Sequence, residues 1–181
     1  MGDPKRQRKQ YSAPLRPWDG DRIQKETKLV NQYGLQSKKE VWKTETILRD
    51  FRRKARRLMA ASGSQAEKES KQILEKLQRL GLLDKESTLV DVLRLDIEDV
   101  LARRLQTIVY NKRLARTPNQ ARQMIVHGHI LIEDKCVTVP GYLTTIEEER
   151  KVEIESSAPY EKIPEEETKG VRESTKVGGG G

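Results

Sequence analysis

The sequence predicts an α+β fold: a mostly helical N-terminal region, then a small module of two helices and an antiparallel β-sheet, flanked by an extended basic arm and an irregular tail. Three observations predict it. Apolar residues recur at helical spacing, in segments opened by capping residues, from about residue 19 to residue 126. Short strand-like stretches appear only after Gly128, the last of them Lys151 to Ile154. The two ends are rich in charge, Pro or Gly and carry no apolar period.

Residues 1–18 form the expected arm. Lys5, Arg6, Arg8, Lys9 and Arg16 sit among Pro4, Pro14 and Pro17; the prolines deny a helix and the charges deny a core. Tyr11 and Trp18, set among cations, suit stacking on nucleic-acid bases.

Residues 19–101 read as a helical scaffold. Asp19 or Asp21 caps a helix that Gly34 stops. Ser37-Lys38-Lys39-Glu40 has the form of a capping box and opens a longer helix, to about Ala61, with Val41, Leu48, Phe51, Ala55, Leu58 and Met59 as its buried stripe. Another face carries Arg49, Arg53, Arg56 and Arg57. The run Phe51–Leu58 packs five cations, Arg52, Arg53, Lys54, Arg56 and Arg57, into six residues. Like charges at such spacing repel, so an external anion is their expected counterion. After the break at Ser62-Gly63, Ser64 to Glu67 reads as another capping box for a helix lined by Ile73, Leu74, Leu77 and Leu80 and ended by Gly81. Thr88 to Asp91 opens a short helix. Asp96, with Asp99, caps the next, whose core face runs Ile97, Val100, Leu101, Leu105, Ile108 and carries Arg103 and Arg104 into the module.

Residues 102–156 form the module. Residues 103–131 hold Arg103, Arg104, Lys112, Arg113, Arg116 and Arg122 and no acid, in a chain with 28 Asp and Glu. Thr117-Pro118 opens a helix, with Gln120 placed to close a capping box, and Gly128 ends it. Ala121, Met124 and Ile125 face a core. At 100° per residue Asn119, Arg122 and Gln123 lie opposite, so Arg122→Ala is expected to leave stability within about 0.5 kcal/mol and to weaken ligand binding. Strand, a turn at Asp134-Lys135, strand and a final strand at Lys151–Ile154 follow, with Cys136 expected in the core. Glu147-Glu148-Glu149 reads as a solvated loop or a contact to a basic neighbour, and residues 157–181 as a low-complexity tail.

Charge narrows the function. The net charge is +8 and the pI near 9.6, and both point to a polyanionic partner. The first 60 residues carry 17 basic and 7 acidic side chains, whereas residues 61–101 carry 6 and 9. A single cysteine makes no intrachain disulfide and fits a reducing compartment. There is no cysteine cluster for a metal and no apolar run of membrane-spanning length, so no cofactor, metal, membrane or small-molecule substrate is expected. His127 and His129, the only histidines, flank a helix-ending glycine and suit hydrogen bonding better than acid–base catalysis.

The stretch LARTPNQARQMIVHGHILIEDKCVTVP resembles the S-four RNA-binding module in Ala121-Arg122-Gln123, Met124-Ile125, His127-Gly128-His129-Ile130 and Val137 before Pro140. The helical stretches VWKTETILRDFRRKARRLMA and LLDKESTLVDVLRLDIEDVLARRLQ extend the resemblance to the archaeal type of the small-subunit ribosomal protein S-four family, over roughly residues 1–160. The zinc-binding cysteines that some relatives carry near the N-terminus are not in this sequence. The resemblance implies a structural protein that binds small-subunit rRNA early in assembly, nucleates the body of the subunit and contributes to translational accuracy. Its implied partners are that rRNA, neighbouring small-subunit proteins and mRNA where it enters. The alternative is a free RNA-binding or ribosome-rescue factor. A pseudouridine synthase or tyrosyl-tRNA synthetase would need a catalytic domain for which the helical residues leave no room.

Charge, helix face and resemblance together assign RNA contact to Lys5, Arg6, Arg8 and Lys9 in the arm. In the scaffold they assign it to Arg49, Arg52, Arg53, Lys54, Arg56 and Arg57. In the module they assign it to Arg103, Arg104, Lys112, Arg113, Arg116, Thr117, Asn119, Gln120, Arg122, Gln123, His127, His129 and Lys135.

Overall fold

Local capping sets most of the helix starts. The computed structural model describes residues 9–155. Lys5, Arg6 and Arg8 and the tail at 157–181 therefore lie outside the described residues. Helix α1 (Gly20–Tyr33) begins where the Asp19 carboxylate accepts from the Arg22 N–H, and Gly34 ends it at φ 59°. Helix α2 (Lys38–Ala60) buries Val41, Thr44, Leu48, Phe51, Ala55 and Leu58. Met59, expected in that stripe, is 48% exposed although it shares the helical angle of buried Val41; it stands in the last turn of the helix. Thr44 takes a place in the stripe instead, its hydroxyl satisfied by the Glu40 carbonyl at 3.0 Å.

Neither of the first two expected capping boxes forms. The Ser37 side chain makes no cap bond, and Glu40 accepts from the Gln36 N–H while pairing with arginines far along the chain. Helix α3 (Ser64–Arg79) is capped at Gly63 without a side-chain bond. Helices α4 (Leu89–Arg94) and α5 (Ile97–Ala102) do form their boxes, Thr88 with Asp91 and Asp96 with Asp99.

The continuous helix expected through Arg103 and Arg104 is broken there, and α6 (Leu105–Asn111) is a separate element. The returning C-terminal chain takes the hydrogen bonds at the break. The Leu105 N–H donates to the Tyr142 carbonyl at 2.8 Å, and the Thr144 N–H to the Arg103 carbonyl at 3.1 Å. Helix α7 (Pro118–Val126) follows, capped by Thr117.

Strands β1 (Ile130–Ile132), β2 (Lys135–Cys136) and β3 (Val152–Ile154) form an antiparallel sheet of order β2-β1-β3. The hairpin turn falls at Glu133-Asp134, one residue before the expected place. Both have positive φ, 54° and 41°, as a two-residue turn with the right twist requires, and Lys135 is already paired with Ile132. Helix α8 (Ile146–Arg150) stands where a solvated acidic loop was expected, because Thr145 and Glu148 cap each other. Cys136, expected in the core, is exposed on β2; its thiol donates to the Gly128 carbonyl at 3.2 Å.

The module core joins Leu105, Ile108, Val109, Ala121, Met124, Ile125, Ile130 and Val152. Each of its large side chains contributes roughly 1.5–3 kcal/mol on burial. A second core, around Leu48, Phe51, Ala55, Leu77 and Val92, holds α2 to α3, α4 and α5, and a third joins Leu35 and Val41 to Leu101. Helical region and module meet at a seam. The Gln106 side chain, 1% exposed, donates its amide to the carbonyls of Tyr33, Gly34 and Pro118 at 3.2, 2.8 and 3.0 Å. Gly34 suits this seam twice, by its positive φ and because a Cβ there would lie 2.7 Å from the Pro118 Cβ.

Candidate nucleic-acid interface

The arginines divide into two populations. The first is spent inside the fold, and at its centre is Glu40, at the start of α2. Its carboxylate pairs with Arg104, which is 6% exposed, and with the Arg122 guanidinium at 3.0 Å. Arg122 also donates to Gln36 and Gln106, at 3.2 and 3.4 Å. Burial alone would push the Glu40 carboxyl up. The hydrogen bonds and charges of the two guanidiniums outweigh it and hold the group below the usual carboxylate range. Arg104 was expected at an RNA surface and is instead buried against this carboxylate. Arg122 was expected to point away from the fold and is half-buried in the seam. Residue 122 does lie opposite the module core, but that side of α7 faces the start of α2 rather than water.

Three more expected contacts are tied up in the same way. Arg52 donates to the Leu95 carbonyl beside Asp96, joining α2 to the turn between α4 and α5. Arg103 pairs with Glu149 at 2.7 Å and fastens α8. The Lys112 ammonium donates to the carbonyls of Arg150 and Val152 at 3.2 and 3.3 Å. Thr117 and Gln120 use their polar atoms at the start of α7, accepting from the backbone N–H groups of Gln120 and Arg116 at 3.1 and 2.7 Å.

The second population is exposed. Along α2, Arg49, Arg53 and Arg57 pair with Glu45, Asp50 and Glu69 at 2.9, 2.8 and 3.3 Å. These cations were expected to lack internal counterions, and acids a turn away or on α3 supply them. All three side chains are at least half exposed, however, and such pairs are worth at most about 1 kcal/mol, so the arginines can turn to a phosphate at little cost. Lys54 and Arg56 are exposed with no ion-pair partner among the described residues. Lys39 and Lys43, exposed one and two turns into the same helix, extend the basic surface. Their i, i+4 spacing was the signal that could have found them.

On the module, Asn119, Gln123 and His127 recur every fourth residue and form one exposed stripe along α7. His127 and His129 lie near-parallel with centroids 6.2 Å apart across Gly128, whose φ is 80°. Arg116, before α7, and Lys135, on the hairpin, are exposed, and Arg113 is half-buried. Arg113 itself ends α6 in the left-handed conformation, φ 61°, where a glycine would be less strained. In the arm, Lys9 is exposed and Tyr11 packs against Trp42 with centroids 5.8 Å apart.

The exposed helical faces thus offer cations and amides, the groups with which proteins contact phosphate and sugar, while the space beside Gly128 is met by the Cys136 sulfur. Among the described residues no group of His, Cys, Asp and Glu could hold a metal ion, and no helix is long and apolar enough to cross a membrane. Glu40 and Gln106, which hold the two halves together, were not read as such from the sequence; one passed for a capping residue and the other lies within an apolar run.

The model of the S4 domain matches residues 103–149. Over 160 residues, covering 88% of this chain and 90% of the relative, the sequence is 51% identical to small ribosomal subunit protein uS4 of Methanococcus aeolicus. It is equally similar, over the same shares, to small ribosomal subunit protein uS4 of Methanococcus maripaludis.

Proposed function

The chain belongs to the uS4 family of small ribosomal subunit proteins, and from that premise we infer that it is a structural constituent of the small subunit that binds small-subunit rRNA directly. It is not an enzyme; it works in the cytoplasm as part of the ribosome, in contact with rRNA and neighbouring ribosomal proteins. The observation that carries this reading is the match through both regions: 51% identity runs over 160 residues, well beyond the S4 domain at 103–149. A single-module rescue factor offers no counterpart for the helical scaffold.

The finer reading rests on the geometry. Lys54, Arg56 and the exposed arginines of α2 form one phosphate-contacting surface. Asn119, Gln123, His127, His129, Arg113, Arg116 and Lys135 form another, along α7, the chain before it and the hairpin. The fixed seam sets the angle between them, which suits an rRNA junction where helices meet at a defined angle. Nucleation of the body of the subunit, contact with mRNA where it enters and a contribution to decoding accuracy complete the proposal.

Salt-washed small subunits test it. A constituent stays with the particle at salt concentrations that strip loosely held factors, and the isolated protein prefers structured rRNA to duplex DNA of equal length. Loss of the protein in the wash, or equal affinity for both nucleic acids, would overturn the reading.

A further inference from the structure

We propose that the end of the N-terminal arm, Leu15 to Trp18, is a preformed stacking site for one unpaired RNA base, with Trp18 as the platform and Arg16 as its cationic neighbour. The inference rests on the rRNA-binding reading above and adds a ligand class and a residue to it.

The arm contains two aromatic residues, and the structure treats them in opposite ways. Tyr11 turns inward onto Trp42, and the Ser12 N–H next to it donates to the Thr46 hydroxyl at 3.1 Å, so this part of the arm is pinned along α2. Trp18 turns outward and is 91% exposed, beside Leu15 at 101%. An indole left in water on a loose chain would mean little, but this backbone is held. Arg22 reaches back from α1 and donates to the carbonyls of Arg16 and Pro17 at 3.1 and 2.9 Å. Its other nitrogen binds Glu26, which is 6% exposed and also accepts from the Trp42 indole at 2.9 Å. A buried carboxylate thus steadies the clamp, and Pro14 and Pro17 fix φ within the segment. The backbone that carries the indole is held before the ligand arrives, which lowers the entropic cost of binding.

Charge selects the partner. Residues 1–18 hold five basic side chains and one acid, and Asp19, next in line, caps the Arg22 N–H. A flat apolar ring two residues from an arginine, on a strongly cationic segment, suits a polyanion that carries planar apolar groups. Single-stranded RNA has that chemistry. An apolar protein surface would match Leu15 and Trp18 but would leave the cations unanswered.

The test compares Trp18→Ala, Trp18→Phe and Arg16→Ala with the wild-type protein, titrated with full-length small-subunit rRNA. Trp18→Ala is expected to keep the melting temperature, lose roughly 5- to 150-fold in affinity and leave the salt dependence unchanged, because stacking releases no counterions. Trp18→Phe is expected to keep most of the affinity. Arg16→Ala is expected to reduce the slope of log affinity against log salt by about 0.7–0.9. Tryptophan emission should be quenched by rRNA in the wild type, and that part of the quenching should be missing from Trp18→Phe. Wild-type affinity in Trp18→Ala, or emission from Trp18 that responds to small-subunit proteins and not to rRNA, overturns the stacking site while the rRNA-binding reading stands. Failure of the wild-type protein itself to bind the rRNA overturns both.

Discussion

Arg104 and Arg56 carry the same guanidinium and do different work. Arg104, at the break between α5 and α6, is buried against Glu40 and joins the two halves of the molecule. Arg56, on the outer face of α2, stands in water with no ion-pair partner among the described residues. What separates them is the dielectric around each and the carboxylate within reach of one. A guanidinium taken out of water must be paired or it costs several kcal/mol, whereas an exposed one is held by almost nothing and can answer a phosphate. On the function proposed above, the rRNA surface is the set of cations in the basic stretches less those the fold uses, Lys112 included.

The largest test of this contrast is Glu40→Ala. It strands the buried Arg104 and removes a partner of Arg122, and it should lower unfolding stability by about 3–5 kcal/mol in denaturant titrations. A loss under about 0.5 kcal/mol would mean that the seam is not held by this carboxylate. Arg122→Ala comes next. The sequence alone suggested a harmless surface change; the structure predicts a loss of about 1–3 kcal/mol, since charged hydrogen bonds to Glu40 and Gln106 go with it. An unchanged melting temperature would return Arg122 to the exposed population.

Acid should separate the regions more gently. The folded-state pKa of Glu40 is depressed, so its contribution is complete above the ordinary carboxylate range and is lost as pH falls from that range through the depressed value. The difference in stability between wild type and Glu40→Gln should therefore be constant from pH 8 to about 6 and shrink below about 4. A difference that instead grew on acidification would contradict the assignment. The smallest effect on folding is expected on the outer face. Lys54→Ala and Arg56→Ala should each stay within about 0.5 kcal/mol of wild type, while removing one cation that neutralises a phosphate should reduce the salt slope of rRNA binding by about 0.7–0.9. If either variant unfolded readily, or the slope did not move, that face would not be the phosphate surface.

These outcomes mark where reading along the chain succeeds. The starts of α1, α4, α5 and α7 were legible because each cap lies within three residues of the N–H it satisfies. The module was legible because its pattern is contiguous, from Ala121-Arg122-Gln123 through His127-Gly128-His129-Ile130. Buried stripes such as Ala121, Met124 and Ile125 followed from the helical period. Two acidic stretches misled: Glu40 as a capping residue, and Glu147 to Glu149 as a loop. For Glu40 the decisive partner is remote in sequence, Arg104 at a separation of 64; for the acidic stretch it is local, the Thr145–Glu148 capping box, and Arg103 then fastens the helix from 46 residues away.

The sequence by itself determined the class of fold, the helix starts that caps specify, the identity of the RNA-binding module and the excess of positive charge in the first 60 residues. Only the tertiary structure decided which cations remain available, because burial and pairing depend on segments brought together by folding. Gln106 reaches Gly34 across 72 residues, and Arg122 reaches Glu40 across 82. The broken helix at Arg103-Arg104 has the same origin: its backbone bonds go to Tyr142 and Thr144, on a chain that returns only after α7 and the β1–β2 hairpin.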